Sequence, residues 1–219
     1  MLFGLEGKNV SNNSTKQKVV DAASLLFYQK GFDGTSVRDI AMKASVNVSL
    51  ISYYFKGKQG LLEYAVTNYY ETYLSLIEET LENHQELTDM EKLKKVIYSV
   101  VKYKVENYQL TSFIQRELTL DSTFVREMSV TYLAKEDYYL KQLFYSVLHP
   151  YFKQKRTYLY MQLKGIFMSP FLIQEDWNYR LLDQASYQQF IHHFTETIYE
   201  WLETLTSEKR RNEEQVPLQ

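Results

Sequence analysis

The stretch that decides the fold is TSVRDIAMKASVNVSLISYYFKGK, residues 35–58. Ser36 can cap a first helix, and Asp39, three residues later, completes the pattern of a capping box. Asn47 is a good N-cap for a second helix, which we predict from Val48 to about Phe55. Two short helices joined by a tight turn predict a helix-turn-helix.

The second helix has an unusual outer face. Ile51 and Phe55 lie four residues apart and point inward, so serine, aliphatic and tyrosine side chains point outward. Tyrosine hydroxyl and lysine ammonium groups at its end suit phosphate oxygens, and hydroxyls and aliphatic groups can contact base edges. The free N–H groups at the start of the helix also favour negative charge. The predicted DNA-binding residues are Ser36, Val48, Ser49, Leu50, Ser52, Tyr53, Tyr54, Lys56 and Lys58.

The distribution of charge agrees with a DNA-binding N-terminal part. Of the 219 residues, those from 14 to 60 include seven basic and three acidic side chains, a net charge of +4. The whole chain carries −2 and residues 1–13 are neutral, so the remainder carries −6. An acidic remainder would keep the wrong face of the protein away from DNA. The alternative is that these charges are merely scattered over solvated surfaces.

Composition excludes several classes of protein. The chain is 45% hydrophobic and 24% charged, as expected of a globular core, and it has no cysteine for disulfides or thiolate chemistry. No apolar run approaches the roughly 20 residues that cross a bilayer, and we find no signal peptide, so we expect a cytoplasmic protein. Its predicted DNA-binding residues would associate it with the nucleoid. No catalytic motif is present, which predicts no enzyme and no cofactor. His192, His193 and Glu196 have a spacing that is common by chance, and we expect no metal there.

Residues 19–62 resemble the N-terminal DNA-binding domain of the TetR family of bacterial regulators. The resemblance rests on Ala22-Ala23, Leu26-Phe27, Gly31-Phe32, residues 35–41, Val46, Tyr54-Phe55, Lys58 and Leu61-Leu62. Two positions depart from the family pattern. Ser45 occupies the place of the usual turn glycine, which predicts a strained turn, and Ser52 occupies that of a tyrosine that contacts phosphate. The resemblance implies a homodimer that binds near-palindromic double-stranded DNA.

Beyond residue 60 the apolar periodicity is helical throughout, so the predicted fold class is all-α. We predict a flexible tail at 1–13, a three-helix helix-turn-helix domain at 14–60, a larger helical dimerisation and regulatory domain at 61–206, and a second tail at 207–219. The predicted helices span about 15–30, 58–84, 90–107, 110–120, 122–148, 152–172 and 179–205.

The last of the two final predicted helices carries a nearly unbroken apolar stripe, more apolar surface than a terminal helix normally needs. In the TetR family such a pair forms a four-helix dimer interface with its copy, and the resemblance places that interface here. The predicted interface residues are Gly165, Phe190, Phe194, Ile198, Trp201, Leu202 and Leu205. Gly165 would permit close approach of helices, although a tolerated glycine is an equally good interpretation.

Two functions remain open for the C-terminal part. A tyrosine cluster could line a small-molecule pocket of a ligand-responsive repressor, or it could simply be core; its members are Tyr64, Tyr69, Tyr70, Tyr73, Tyr98, Tyr103 and Tyr108. Alternatively, residues 47–64 and 109–128 resemble TetR-type regulators of spore-forming bacilli that restrain assembly of the FtsZ division ring. That resemblance implies a surface for a protein partner at Arg116, Glu117 and Arg126, for which exposed ion pairs are the alternative.

Overall fold

Helices account for every regular element in the part of the chain that the computed structural model describes, residues 6–119, 123, 127, 129–172 and 184–206. The prediction of an all-α fold is therefore confirmed. The predicted C-terminal tail and the predicted start of the last helix near residue 179 lie outside the described residues.

The first helix is longer than its sequence suggested. Helix α1 spans Glu6–Lys30, whereas the sequence predicted a flexible tail up to residue 13. No proline interrupts these residues, and a single glycine costs only about 1 kcal/mol in a helix, so nothing stops α1 from extending toward the N-terminus. At its other end Gly31 has a φ of 73° and donates its N–H to the carbonyl of Phe27 at 3.0 Å, as a C-terminal cap does.

The helix-turn-helix forms as predicted. Helix α2 spans Val37–Ala44 and begins with a complete capping box, in which Ser36 and Asp39 bond each other's backbone N–H groups. Helix α3 spans Val48–Phe55, and the side chain of Asn47 accepts a hydrogen bond from the N–H of Ser49 at 2.9 Å. The turn passes through Ser45, whose φ of 55° lies in the left-handed region that glycine adopts more easily.

Helix α4, Lys58–Glu82, passes from one compact unit of the chain into a second. The first unit contains Met1–Thr72 and Asn107–Leu120, and the second contains Tyr73–Glu106 and Asp121–Gln219. Helix α5 spans Asp89–Glu106 and helix α6 spans Tyr108–Glu117.

Helix α6 packs in the first unit, although the sequence assigned it to the C-terminal domain. Its Phe113 is buried, and the ring lies 5.3 Å from the ring of Phe27 on α1. The buried face of α6 also includes Leu110 and Ile114. An apolar face on a helix shows that the helix packs against something, but it does not identify the partner, so the sequence placed α6 with its neighbours along the chain.

The second unit is built around α5, which packs against two later helices. These are α7, Ala134–Val147, and α9, Gln184–Thr206; between them lies α8, Arg156–Leu172. A π-helical turn at Ser129–Leu133 precedes α7, where the sequence predicted one α-helix over 122–148. A 3₁₀ turn at Pro150–Phe152 precedes α8. The buried face of α5 contains Leu93, Val96, Ile97, Val100 and Val101.

Part of the predicted dimer stripe on α9 is buried within its own chain. Ile198, Leu202 and Leu205 are buried where α9 packs against α5, so these three side chains belong to the core of their own chain. Trp201 is half-buried, with its ring stacked at 6.1 Å on that of Phe144. The stripe was correctly predicted to be apolar, but one face of a helix can serve either the core or a partner.

A cluster of charged groups is buried in the second unit. The carboxylate of Glu136 accepts hydrogen bonds from the Tyr73 hydroxyl at 2.9 Å and pairs with the Lys164 ammonium at 3.0 Å. The buried Lys104 ammonium lies 5.2 Å from the Tyr73 ring centre. Burial disfavours the charge of Glu136, but the nearby Lys164 and Lys104 outweigh it and hold the pKa of this carboxyl below its ordinary value. Burial lowers the pKa of the Lys104 ammonium, and Glu136 opposes that change.

We expect Glu136→Gln to lower the free energy of unfolding by about 3–5 kcal/mol, because the substitution leaves the buried Lys104 ammonium without its neighbouring carboxylate. The control is Glu106→Gln, which breaks an exposed pair with Lys102 at 3.8 Å and should cost about 0.5 kcal/mol or less. Urea denaturation of the full chain, followed by circular dichroism, gives both values. Equal losses in the two variants would contradict the importance of the buried cluster. Adding Lys104→Met to Glu136→Gln should recover part of the loss.

Candidate nucleic-acid interface

The orientation of the recognition helix α3 is fixed by burial of its inner face. Ile51 is fully buried and Phe55 is 4% exposed, so the opposite face of this short helix must point to solvent. The Asn47 cap fixes its first turn. At its last turn Lys56 adopts the left-handed conformation and donates its N–H to the carbonyl of Ser52 at 3.0 Å. Both ends of α3 are therefore defined by hydrogen bonds.

The outward face of α3 carries most of the predicted base-contacting residues. Tyr53 is 79% exposed and Val48 is 40% exposed, and the side chains of Ser49 and Ser52 are also exposed. Leu50 is half-buried. The Ser49 hydroxyl donates to the Asn47 side chain at 2.8 Å, so it takes part in the cap. The structure thus brings these residues onto one accessible surface, and their contact with DNA stays a prediction.

A cluster of aromatic and basic side chains lies at the edge of this face. The rings of Tyr53 and Tyr54 meet edge to face at 5.0 Å, and the Lys16 ammonium lies 5.4 Å from the centre of the Tyr54 ring. Lys56, two positions after Tyr54, is exposed. Lys16 belongs to α1 and was not among the predicted site residues; the sequence signalled it only as one of the basic residues of the N-terminal part. The arrangement offers hydroxyl and ammonium donors to phosphate oxygens.

Lys56 and Lys58, which were both predicted to bind DNA, have different surroundings. The Lys58 ammonium donates to the carbonyls of Phe32 at 2.8 Å and Thr35 at 2.9 Å, and it lies over the Phe32 ring. Lys56 is exposed, so its ammonium can reach a phosphate at lower cost. Ser36 also has a structural role, since its hydroxyl donates to Asp39 at 2.7 Å. Those hydrogen bonds from Ser36 lower the pKa of the Asp39 carboxyl.

Arg116 has a role inside the first unit that the sequence did not predict. Its guanidinium donates to the carbonyls of Tyr28 at 2.6 Å and Phe27 at 3.3 Å, near the end of α1, and it lies over the Tyr28 ring. The bond to Tyr28 satisfies a carbonyl in the last turn of α1, where intrahelical donors run out, and the Phe27 carbonyl accepts from both Arg116 and the Gly31 N–H. Burial raises the pKa of the adjacent Glu117 carboxyl, and Arg116 opposes that change. These contacts give Arg116 a structural role in the first unit, and a place for it on a partner surface stays a prediction. Arg126 lies outside the described residues.

The tyrosine cluster is divided between the two units. In the first unit, the buried Tyr69 hydroxyl is 3.0 Å from the hydroxyl of Thr111. In the second unit, the buried Tyr73 hydroxyl donates to Glu136. Tyr64 and Tyr98 are each 40% exposed. Tyr69 and Tyr73 thus have hydrogen-bond partners from the protein, as core tyrosines do.

His192 and His193 lie exposed on α9. Over the described ranges no three His, Asp or Glu side chains are grouped as metal ligands would be. Among the described helices, none is both long enough and apolar enough to span a membrane.

A capped recognition helix with an exposed polar face and a basic, aromatic edge defines a class of protein, the helix-turn-helix transcriptional regulator. The sequence model of the family "Bacterial regulatory proteins, tetR family" matches residues 19–65. The "Probable HTH-type transcriptional regulator YttP" of Bacillus subtilis strain 168 is 38% identical over 198 residues, which cover 88% of this chain and 94% of YttP. The chain belongs to the TetR family.

Other relatives share smaller parts of the sequence or the fold alone. The "Biofilm operon icaADBC HTH-type negative transcriptional regulator IcaR" of Staphylococcus epidermidis is 23% identical over 100 residues, 46% of this chain and 52% of IcaR. The crystal structure of HlyIIR, a hemolysin II transcriptional regulator, has a TM-score of 0.59 at 22% identity and covers 90% of this chain and 99% of HlyIIR. A regulatory protein of the tetR family from Rhodococcus RHA1 has a TM-score of 0.62 at 13% identity, with 86% and 96% covered.

We expect Lys56→Ala to make the slope of log K for DNA binding against log salt concentration shallower by about one for each DNA-binding head, that is α1 to α3 of one copy. The substitution removes a phosphate contact. Tyr54→Ala should weaken binding to all sequences alike and leave the slope unchanged, because a phenol is neutral. Titrations at several salt concentrations measure both effects. Lys95→Ala, at an exposed position on α5, is the control. A loss of affinity confined to one sequence would make Tyr54 a base-reading residue.

Proposed function

We infer that this TetR-type transcriptional regulator binds near-palindromic DNA as a homodimer, with one α3 helix in each of two successive major grooves. The observation that carries this proposal is the fixed, outward face of α3, with the Lys16–Tyr54 contact and the exposed Lys56 at its end. Half-sites for two such helices lie roughly 34–36 Å apart, one turn of the DNA helix.

The chemistry of α3 indicates how a site would be chosen. The helix contains no arginine, asparagine or glutamine, so it lacks the side chains that make bidentate contacts with guanine or adenine. Hydroxyl groups of Ser49 and Ser52 and apolar contacts of Val48 or Leu50 with thymine methyls would provide the direct discrimination. Because such contacts are weaker, the shape and flexibility of the DNA would contribute to the choice of site.

Exposed apolar residues on α8 support pairing with a second copy. Tyr158 is 69% exposed and Met161 is 64% exposed, and with Gly165 they lie on one face of the helix at spacings of three and four. A Cβ added at Gly165 would meet no atom within 4 Å, so this surface is open to close approach. On α9, the rings of Phe190 and Phe194 stack at 5.2 Å and are half-buried. Unlike the buried Ile198, Leu202 and Leu205, these residues keep exposed surface that a partner copy would cover.

We expect Met161→Asp to produce monomers that remain folded, because a carboxylate cannot be desolvated and unpaired at an apolar interface. DNA affinity should fall too, since a single head lacks the high effective concentration of two linked heads. Ile198→Asp is the contrasting variant, which should lower the free energy of unfolding because Ile198 is in the core. Light scattering and thermal denaturation separate the two outcomes. A Met161→Asp variant that stays dimeric would contradict this interface.

A role in cell division is the finer proposal for the C-terminal part. Residues 47–64 and 109–128 resemble RefZ, a TetR-type regulator of division-ring assembly, which makes FtsZ the proposed partner. Since Arg116 bonds to the end of α1, its substitution would disturb the first unit and is a poor probe of a partner surface. Arg126 and the exposed Glu127 are better probes. Ligand-responsive repression is the alternative, and the hydrogen-bonded, buried Tyr69 and Tyr73 give a small-molecule pocket no support.

If the division proposal holds, overproduction of the wild-type chain should block division, and Arg126→Glu or Glu127→Lys should relieve the block while affinity for DNA stays unchanged. The expected relief follows from the loss of a charged contact with the partner, commonly a tenfold to hundredfold effect at an interface hot spot. Cell length and DNA binding of the purified variants are the measurements. Two variants that both still block division, or a wild-type chain that does not, would favour the ligand-responsive repressor.

A further inference from the structure

Lys58 joins the two ends of the helix-turn-helix. Its ammonium donates to the Thr35 carbonyl at 2.9 Å and to the Phe32 carbonyl at 2.8 Å. The same ammonium lies 4.2 Å from the centre of the Phe32 ring, close enough for a cation–π contact. Thr35 and Lys58 are 23 positions apart in sequence, and the stretch between them contains all of α2 and α3. The lysine therefore closes this stretch into a loop.

The acceptors of Lys58 belong to a rigid part of the head. Thr35 is 2% exposed, and its hydroxyl lies 2.8 Å from the Gly31 carbonyl and 3.2 Å from the Leu26 carbonyl. Its N–H donates to the Phe32 carbonyl at 3.2 Å, so that carbonyl accepts from both Thr35 and Lys58. A cation is also favoured here, since these carbonyls follow the negative end of the α1 dipole. The connection from α1 to α2 is thus a fixed anchor.

Because Lys58 closely follows α3 in the sequence, its hydrogen bonds also restrict the position of α3. Only Lys56 and Gly57 separate it from Phe55, the last residue of α3, and both have positive φ angles, 59° and 118°. Such a tight, left-handed connection leaves little freedom between the end of α3 and the start of α4. The first end of α3 is held by Asn47 and the turn at Ser45. Holding Lys58 therefore determines the position of the second end.

We propose that Lys58 is a positioning residue for DNA binding, which sets the orientation of α3 through the Phe32 and Thr35 carbonyls instead of contacting a phosphate. This inference rests on the proposed binding of DNA through α3. An ammonium group has three N–H donors, and two of them are occupied by backbone carbonyls at short distances. Transfer of the group to a phosphate would leave two carbonyls without this donor and open the loop between Thr35 and Lys58.

The test compares Lys58→Met with Lys56→Met in the full-length protein. Methionine keeps most of the lysine stem and removes the donors and the charge in both cases. Affinity is measured for a specific duplex, selected from random sequence with the wild-type protein, and for a non-specific duplex, each at several salt concentrations. Circular dichroism at the assay temperature confirms that the variants are folded.

For Lys58→Met we expect specific affinity to fall about tenfold or more, comparable with the loss of a base contact, while non-specific affinity and the salt slope change little. Lys56→Met should instead make the salt slope shallower by about one for each head and reduce specific and non-specific binding alike. A shallower slope in Lys58→Met with an unchanged ratio of specific to non-specific affinity would overturn the proposal and make Lys58 a phosphate contact. Unchanged binding in every respect would overturn it as well.

A second variant keeps the proposal testable if Lys58→Met does not fold. Phe32→Leu removes the ring beneath the ammonium without changing any charge, and we expect a lower ratio of specific to non-specific affinity at an unchanged salt slope. If Lys58 instead contacts a phosphate, Phe32→Leu should leave that ratio unchanged. An unchanged ratio would therefore contradict the positioning role of Lys58. If the wild-type protein selects no duplex from random sequence, the proposed DNA binding itself is contradicted. That result differs from every outcome described for the Lys58 and Phe32 variants.

Discussion

Burial of two side chains, Ile51 and Phe55, makes the recognition surface possible. A helix of eight residues is too short to be stable alone in water, where even good helix formers need about 12–15 residues. Helix α3 therefore exists because its inner face is packed, and its outer face points to solvent for the same reason. The caps at Asn47 and Lys56 add hydrogen bonds at the two ends but could not form this helix without the packing. Structure and recognition here depend on the same contacts.

Charged groups in this protein are used in two different ways. Lys58 and Arg116 donate to backbone carbonyls near the end of α1, and Lys104 and Lys164 accompany a buried carboxylate in the second unit. Lys16 lies over the half-buried Tyr54 ring of α3, and Lys56 is exposed at the end of that helix. Basic residues that count equally in a net charge therefore differ in what they can bind. The net charge of a segment indicates its class of partner, and only the hydrogen bonds show which residues can meet that partner.

Local signals in the sequence predicted the head well. The capping box at Ser36 and the cap at Asn47 each depend on residues within a few positions, so the sequence specifies them directly. The strained turn at Ser45 followed from the resemblance to the family pattern. Signals that depend on distant partners were less informative. The carbonyl acceptors of Lys58 and Arg116 lie 23 or more positions away, and the side chains are typical of exposed phosphate or partner contacts. Likewise, the apolar faces of α6 and α9 were evident, but what they pack against was not, because many helices could supply a complementary face.

The packing of α6 on α1 limits how far the head can be treated as a module. Phe113 and Arg116 bring buried surface and hydrogen bonds to α1, although they come about 40 positions after the chain has left the first unit at Thr72. No single cut in the chain therefore releases the complete DNA-binding unit. A fusion protein or chimera that exchanged only the N-terminal residues with a relative would separate Phe27 from its own partner ring. In TetR-type chains with this packing, a complete DNA-binding unit includes a helix that the linear sequence assigns to the other half of the protein.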